Sequence, residues 1–146
     1  MNSGVIEIGE RLYINIRLDD LQDMGSVGFG SFGNVSRRRL NNHLIAVKWL
    51  PITDDEEEVR RVNMDLDVIR RSNDCEYIVK FHGYLITYGN LYICMELMAT
   101  CLEKLIKRLN TGFPIAVIGK IAVSVIKGER KKYSVPYKVT KMALFS

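Results

Sequence analysis

Cysteine, histidine and proline are scarce in this sequence of 146 residues, and long apolar runs are absent. The three cysteines, at positions 75, 94 and 101, have no paired close spacing, and the two histidines, at 43 and 82, are far from forming a ligand set with them. Zinc frameworks need four ligands at short paired spacings, so we expect no metal site. Reduced thiols fit a protein of the cytoplasm or the nucleus.

No stretch approaches the ~18 consecutive apolar residues of a membrane-spanning helix. The first thirty residues contain no basic start followed by an apolar block, so we expect neither secretion nor a membrane anchor. Lys plus Arg exceed Asp plus Glu only by 21 to 17, and the excess lies in separate short runs. Such runs usually face water, so we expect no nucleic-acid partner.

The composition is that of a globular domain, with 47% hydrophobic and 26% charged residues. Alternating and β-branched apolar residues, interrupted by glycines and by Asn41-Asn42, predict three antiparallel strands at about 21–29, 34–40 and 44–50. Two more strands, at about 78–88 and 91–95, flank the turn signal Gly89-Asn90.

Between the third and fourth strands, apolar residues recur at helical spacing up to about position 72. They are Val59, Val62, Leu66 and Ile69. Thr53 and Glu56 have the spacing of a capping box at the start of this helix. Two further helices are predicted at about 101–110 and 115–127, and the periodicity ends after Gly128. The sequence therefore predicts an α+β fold with a five-stranded antiparallel sheet, one major helix, and one or two helices after it.

A glycine-rich segment lies between the first two predicted strands. Gly28, Gly30 and Gly33 have the spacing that lets backbone amides approach phosphate oxygens without interference from side chains. In dinucleotide-binding folds a helix follows such glycines, whereas here strand-like residues follow them, Val35 first. The pattern predicts a strand-turn-strand flap over a nucleotide; a helix after Gly33 would restore the dinucleotide-binding alternative. The residues assigned to the flap are Val27, Gly28, Phe29, Gly30, Ser31, Phe32 and Gly33.

Lys48 follows Ala46-Val47 at the inner end of a strand that we expect to be buried. A buried ammonium group needs a charge partner, since alone it tends to lose its proton. Asp65, at the border of the apolar stripe of the following helix, is available as that partner. The ion pair would direct the amine towards the α- and β-phosphates of a nucleotide. Asp67 points elsewhere around the helix and receives no role.

The sequence resembles the MAP kinase kinases that activate stress-responsive MAP kinases, the JNK-activating subgroup most of all. The resemblance lies in three segments: MDLDVIRRSNDCEYIV at 64–79, MELMATCLEK at 95–104 and IGK at 118–120. It extends from about Leu18 to Lys127. By this resemblance the chain divides into a lead-in at 1–17, a kinase amino-terminal lobe and hinge at 18–98, the start of the carboxy-terminal lobe at 99–128 and a divergent basic tail at 129–146.

The resemblance also implies roles for individual residues. Met95 would be the gatekeeper, and the backbone of Glu96 and Met98 would hold the adenine of ATP. Val35 and Ala46 would cover the adenine ring. A MAP kinase substrate and an upstream kinase or scaffold are implied as partners.

The groups that carry out phosphate transfer are not found in this sequence. Kinases supply an acid-base Asp from the H-R-D loop and Mg²⁺ ligands from that loop and the D-F-G segment. Neither motif occurs, so the sequence names no catalytic base and no magnesium ligand, and a basic docking sequence is not evident in residues 1–17. Two hypotheses follow: a truncated dual-specificity kinase acting on Ser/Thr and Tyr, inactive in this form, or a non-catalytic interaction module competing for scaffolds or upstream kinases.

Overall fold

The computed structural model describes residues 2–30, 33–52, 55–99, 102–110 and 112–133. Within these residues the chain forms seven strands and three α-helices. In chain order they are β1 (Val5–Ile8), β2 (Arg11–Tyr13), β3 (Gln22–Gly30), β4 (Gly33–Leu40), β5 (His43–Pro51), α1 (Glu56–Arg71), β6 (Phe81–Thr87), β7 (Asn90–Glu96), α2 (Leu102–Leu109) and α3 (Ile115–Tyr133). None of the described helices is long and apolar enough to cross a bilayer.

The strands form one sheet in the order β2-β1-β6-β7-β5-β4-β3, and every neighbouring pair is antiparallel. Because successive side chains of a strand point to opposite faces, the sheet buries two separate apolar clusters. One face of the sheet, here called the α1 face, packs against α1. Its cluster consists of Leu66 of the helix and of Phe81, Tyr84, Leu91 and Ile93 of the strands. The opposite face buries Ile6, Leu21, Leu40, Ile45, Val47, Leu85 and Cys94.

The predicted α+β small-lobe fold is confirmed, and all five predicted strands are present as β3 to β7. The sheet has seven strands rather than five because residues 5–13, within the predicted lead-in, form the hairpin β1–β2. These strands of four and three residues are too short to give a periodic signal; β1 pairs with β6, Val5 opposite Tyr84, and β2 pairs with β1. A side chain at Gly83 would collide with the Val5 carbonyl, so glycine permits this approach.

Two helix boundaries differ from the sequence-based expectation. The N-cap of α1 is Asp55, whose carboxylate accepts a hydrogen bond from the Glu57 N–H at 3.3 Å. The predicted cap residue Thr53 lies outside the described residues. Helix α3 continues to Tyr133, so the first part of the predicted tail is helical, since Arg and Lys there favour a helix. Residues 134–146 lie outside the described residues.

The packing of the hairpin gives the first testable prediction. Ile6 is completely buried in the cluster opposite α1, whereas Leu12, on the other strand of the hairpin, is 62% exposed. Ile6→Ala should lower the free energy of unfolding by roughly 2–5 kcal/mol, because it removes buried methyl groups and leaves a cavity. Leu12→Ala should change it by less than about 0.5 kcal/mol. Urea denaturation checks both; equal losses would contradict the burial of the hairpin.

Candidate nucleotide-binding site

The glycine-rich segment forms the antiparallel hairpin that the sequence predicts. Gly28 lies opposite Val35, and Gly30 lies opposite Gly33. Ser31 and Phe32, which connect the strands, lie outside the described residues. The pairing of β3 with β4 is irregular between Asp23 and Gly28, and Val27 within this stretch is half-buried. A strand and not a helix follows the glycines, so the arrangement of a dinucleotide-binding fold is absent at this place in the described chain.

Register places four predicted site residues on the α1 face of the sheet. Val35 lies opposite Lys48, and Ala46 lies opposite Met95. Directly opposed residues share a face, and residues two apart on one strand share it as well. Val35, Ala46, Lys48 and Met95 therefore line one surface beside the glycine hairpin. This surface is apolar apart from a single ammonium group.

Lys48 is the charged group of this surface. Its side chain is only 5% exposed. Burial lowers the pKa of Lys48 below its ordinary value of 10.5. Among the described residues, no carboxylate oxygen lies within 4.0 Å of its Nζ.

Asp65 does not form the predicted ion pair with Lys48 in this structure, although both lie on the same side of the sheet. Asp65 is half-buried on α1, next to Leu66, which packs into the cluster of the α1 face. Residue spacing could place the two side chains on one side, but it could not fix how far the helix stands from the strand. Whether they pair when a nucleotide is bound remains a prediction.

The residues predicted to contact a base, Glu96 and Met98, lie at the end of β7 and just beyond it. The Glu96 N–H donates to the Lys80 carbonyl at 2.8 Å, and the Lys80 N–H donates to Glu96 Oε2 at 3.2 Å. The N–H of Glu96 is thus occupied, so a contact between Glu96 and adenine would use its carbonyl. Met98 is 50% exposed, and Met95 packs against the cluster of the α1 face.

Two polar contacts that fix α1 were not expected from the sequence. The Asn73 side chain donates to the Phe81 carbonyl at 2.6 Å and accepts from the Phe81 N–H at 2.7 Å, which closes the connection between α1 and β6. The Tyr84 hydroxyl, on β6, donates to Asn63 Oδ1 on α1. Burial, and secondarily the Asp67 carboxylate, raises the pKa of Tyr84, so its hydroxyl keeps its proton. No sequence signal marks these residues, because the contacts depend on how α1 is placed over the sheet.

Magnesium has no evident site in the described part of the chain. No three His, Cys, Asp or Glu side chains come together there.

Cys94 is fully buried, which raises the pKa of its thiol to about 12 and keeps it a neutral packing group. The site assembled here therefore contains an apolar surface, a glycine hairpin and one cation.

Comparison with known proteins finds a matching family model and several relatives that share one description. The family model described as protein kinase domain matches residues 21–133. Dual specificity mitogen-activated protein kinase kinase mek-1 of Caenorhabditis elegans is 42% identical over 127 residues, covering 86% of this chain and 36% of that protein. Dual specificity mitogen-activated protein kinase kinase 7 of Homo sapiens is 41% identical over 127 residues, covering 86% and 30%.

The Drosophila melanogaster relative, dual specificity mitogen-activated protein kinase kinase hemipterous, is 38% identical over 126 residues, which is 85% of this chain and 11% of that protein. The resemblance to MAP kinase kinases is thereby confirmed. The chain spans about a third or less of the length of these relatives.

The buried ammonium gives the second prediction. The unfolded chain binds this proton more readily than the folded one, so the protonated ammonium lowers the free energy of unfolding, and this effect is fully present below the lowered pKa of Lys48. It disappears as pH rises from the lowered pKa of Lys48 to 10.5. Lys48→Met should therefore raise the free energy of unfolding at pH 7 by about 1 kcal/mol, because it removes an unpaired buried polar group. Urea denaturation at pH 7 and pH 10 checks this; an advantage that is absent, or equal at both values, contradicts it.

Proposed function

We propose, from the premise that this chain belongs to the protein kinase domain family, that it is the ATP-binding portion of a dual-specificity MAP kinase kinase of a stress-activated cascade. The observation that carries the proposal is the shared face of Val35, Ala46, Met95 and Lys48 beside the glycine hairpin. An apolar surface with one buried cation at its side matches a ligand that has a flat base and an anionic tail.

The environment of Lys48 suits the anionic tail of such a ligand. A buried ammonium without a carboxylate is stabilised by any anion that can reach it, and a phosphate oxygen forms a strong charge-assisted hydrogen bond with it. Glycines at 28, 30 and 33 leave the neighbouring backbone accessible to phosphates. Adenine would lie between Val35 and Ala46, next to Met95, and would meet the backbone of Glu96 and Met98.

Transfer of phosphate is a separate matter, and we propose that these 146 residues do not perform it. The sequence contains neither the H-R-D nor the D-F-G motif. Alignment and charge stabilisation supply nearly all of the catalysis in phosphoryl transfer, and those motifs provide both. A MAP kinase as substrate, and an upstream kinase or scaffold as regulator, belong to the proposed activity of a complete kinase domain.

A second candidate function is supported by the surface of α2 and α3. Large apolar side chains are exposed on both helices: Ile106, Leu109, Ile115, Val117, Ile118, Val123, Val125 and Ile126. Exposed apolar surface of this kind is typical of interfaces. A non-catalytic module that competes for scaffolds or upstream kinases of the cascade would use such a surface, with or without bound ATP.

Nucleotide binding gives the third prediction. Lys48→Met should weaken the binding of a fluorescent ATP analogue at least about tenfold, because the phosphates lose their cationic contact. Lys120→Met, an exposed lysine on α3, is the matched control and should bind like the unchanged chain. Fluorescence titration measures both. Equal affinities of the two variants would remove the basis of the ATP assignment.

Phosphate transfer gives the fourth prediction. The purified 146-residue chain, mixed with radiolabelled ATP, Mg²⁺ and a MAP kinase, should label that kinase no faster than the Lys48→Met variant does, because no catalytic carboxylate is supplied. Labelling that the Lys48→Met substitution abolishes would contradict the proposed inactivity. It would leave the ATP assignment intact.

A further inference from the structure

One side of α3 exposes a continuous apolar stripe. Ile115, Ile118 and Ile126 are 88%, 51% and 58% exposed, and Ala122 between them is exposed as well. Their spacings of three and four residues place all four on the same side of the helix. These four residues are called the α3 stripe. A helix with such a stripe normally packs it against another apolar element.

Another side of α3 is the one that the small lobe holds. Gly128 is buried, and an added Cβ there would lie 3.5 Å from the Tyr77 carbonyl oxygen. The Lys127 ammonium donates a hydrogen bond to the Tyr77 hydroxyl at 3.1 Å. At about 100° per residue, Gly128 lies roughly 200° around the helix from Ile126. The segment before β6 therefore holds α3 from the far side and leaves the α3 stripe open.

The segment that follows α3, residues 134–146, has the composition and the length to cover this stripe. It reads SVPYKVTKMALFS, with apolar residues throughout, two lysines and no acidic residue. Pro136 lacks a backbone N–H and is incompatible with a helix that simply continues, so the chain has to change direction near it. Extended at ~3.3 Å per residue, the segment reaches roughly 40 Å. The 19 residues of α3 are about 28 Å long, so the segment can return along the whole helix.

We propose that residues 134–146 fold back along α3 and cover the α3 stripe with their apolar side chains. This occupant has an advantage over a second copy or a separate partner, because it starts at the end of the helix it covers and is present at an effective concentration of the order of millimolar. The contact is apolar, since lysine and arginine prevail in both elements and their charges repel.

The cover goes beyond the proposed function, because it requires neither ATP nor a partner. It also has a consequence for the second candidate function. A protein that binds the apolar surface of α3 would have to displace residues 134–146 first, so this segment would act as an internal competitor for that surface.

The test uses the 146-residue chain without nucleotide, labelled at its isoleucine methyl groups. Leu144→Asp combined with Phe145→Asp should shift the NMR signals of Ile118 and Ile126, because these methyl groups lose their apolar neighbours. The fluorescence of an added apolar dye should rise about two- to fivefold as the stripe becomes accessible. The matched control, Lys138→Gln combined with Lys141→Gln, should cause neither change. Signals of Ile118 and Ile126 that are the same in the aspartate variant and the unchanged chain overturn the cover.

The same spectra show whether the variant has kept its fold. Ile6 and Ile45 are completely buried on the face of the sheet opposite α1, so their signals should stay in place in both variants.

A second measurement identifies the occupant directly. Photoreactive benzoylphenylalanine in place of Phe145 should, on illumination, form a cross-link to residues 115–126 of the same molecule, mapped by mass spectrometry. Raising the salt concentration should not reduce this yield, because screening weakens the repulsion between the two basic elements. Cross-links that join two copies, or that miss residues 115–126, overturn the proposal.

Discussion

The ammonium group of Lys48 is buried among the apolar residues Val35, Ala46 and Met95, and its charge needs a counter-ion. It lies 5% exposed on the α1 face, and no described carboxylate compensates it. An unpaired buried charge destabilises the folded state. Such a charge is therefore typical of a site where an anionic ligand pairs with it. Val35, Ala46 and Met95 share this face with Lys48 beside the glycine hairpin, and the proposed nucleotide would bring an anionic group to it.

The two faces of the sheet contribute different contacts to the structure around this site. The face opposite α1 is a fully apolar cluster closed by the amino-terminal segment, and it keeps β5 and β7 in register. The α1 face combines a smaller cluster with the polar contacts of Asn63 and Asn73.

The sequence predicted those features that local periodicity decides. Alternating and β-branched apolar residues located the five strands β3 to β7, and the strand-like residues after Gly33 predicted the glycine hairpin. Features that depend on the packing of distant segments were missed. The strands β1 and β2 exist because the edge of β6 pairs with Val5 and Ile6. Gly128 on α3 lies against the segment before β6, where an added Cβ would be 3.5 Å from the Tyr77 carbonyl oxygen. The spacing of Lys48 and Asp65 gave their side of the sheet but not their separation.

Methyl NMR distinguishes the two faces of β5 as the place where the proposed nucleotide binds. Ala46 and Val47 are adjacent in sequence and point to opposite faces. On titration of the methyl-labelled chain with an ATP analogue, the resonances of Ala46, Val35 and Met95 should shift with saturation. Those of Val47 and Ile45 should stay in place. Shifts on Val47 and Ile45 with none on Ala46 would place the nucleotide on the opposite face and contradict its binding on the α1 face.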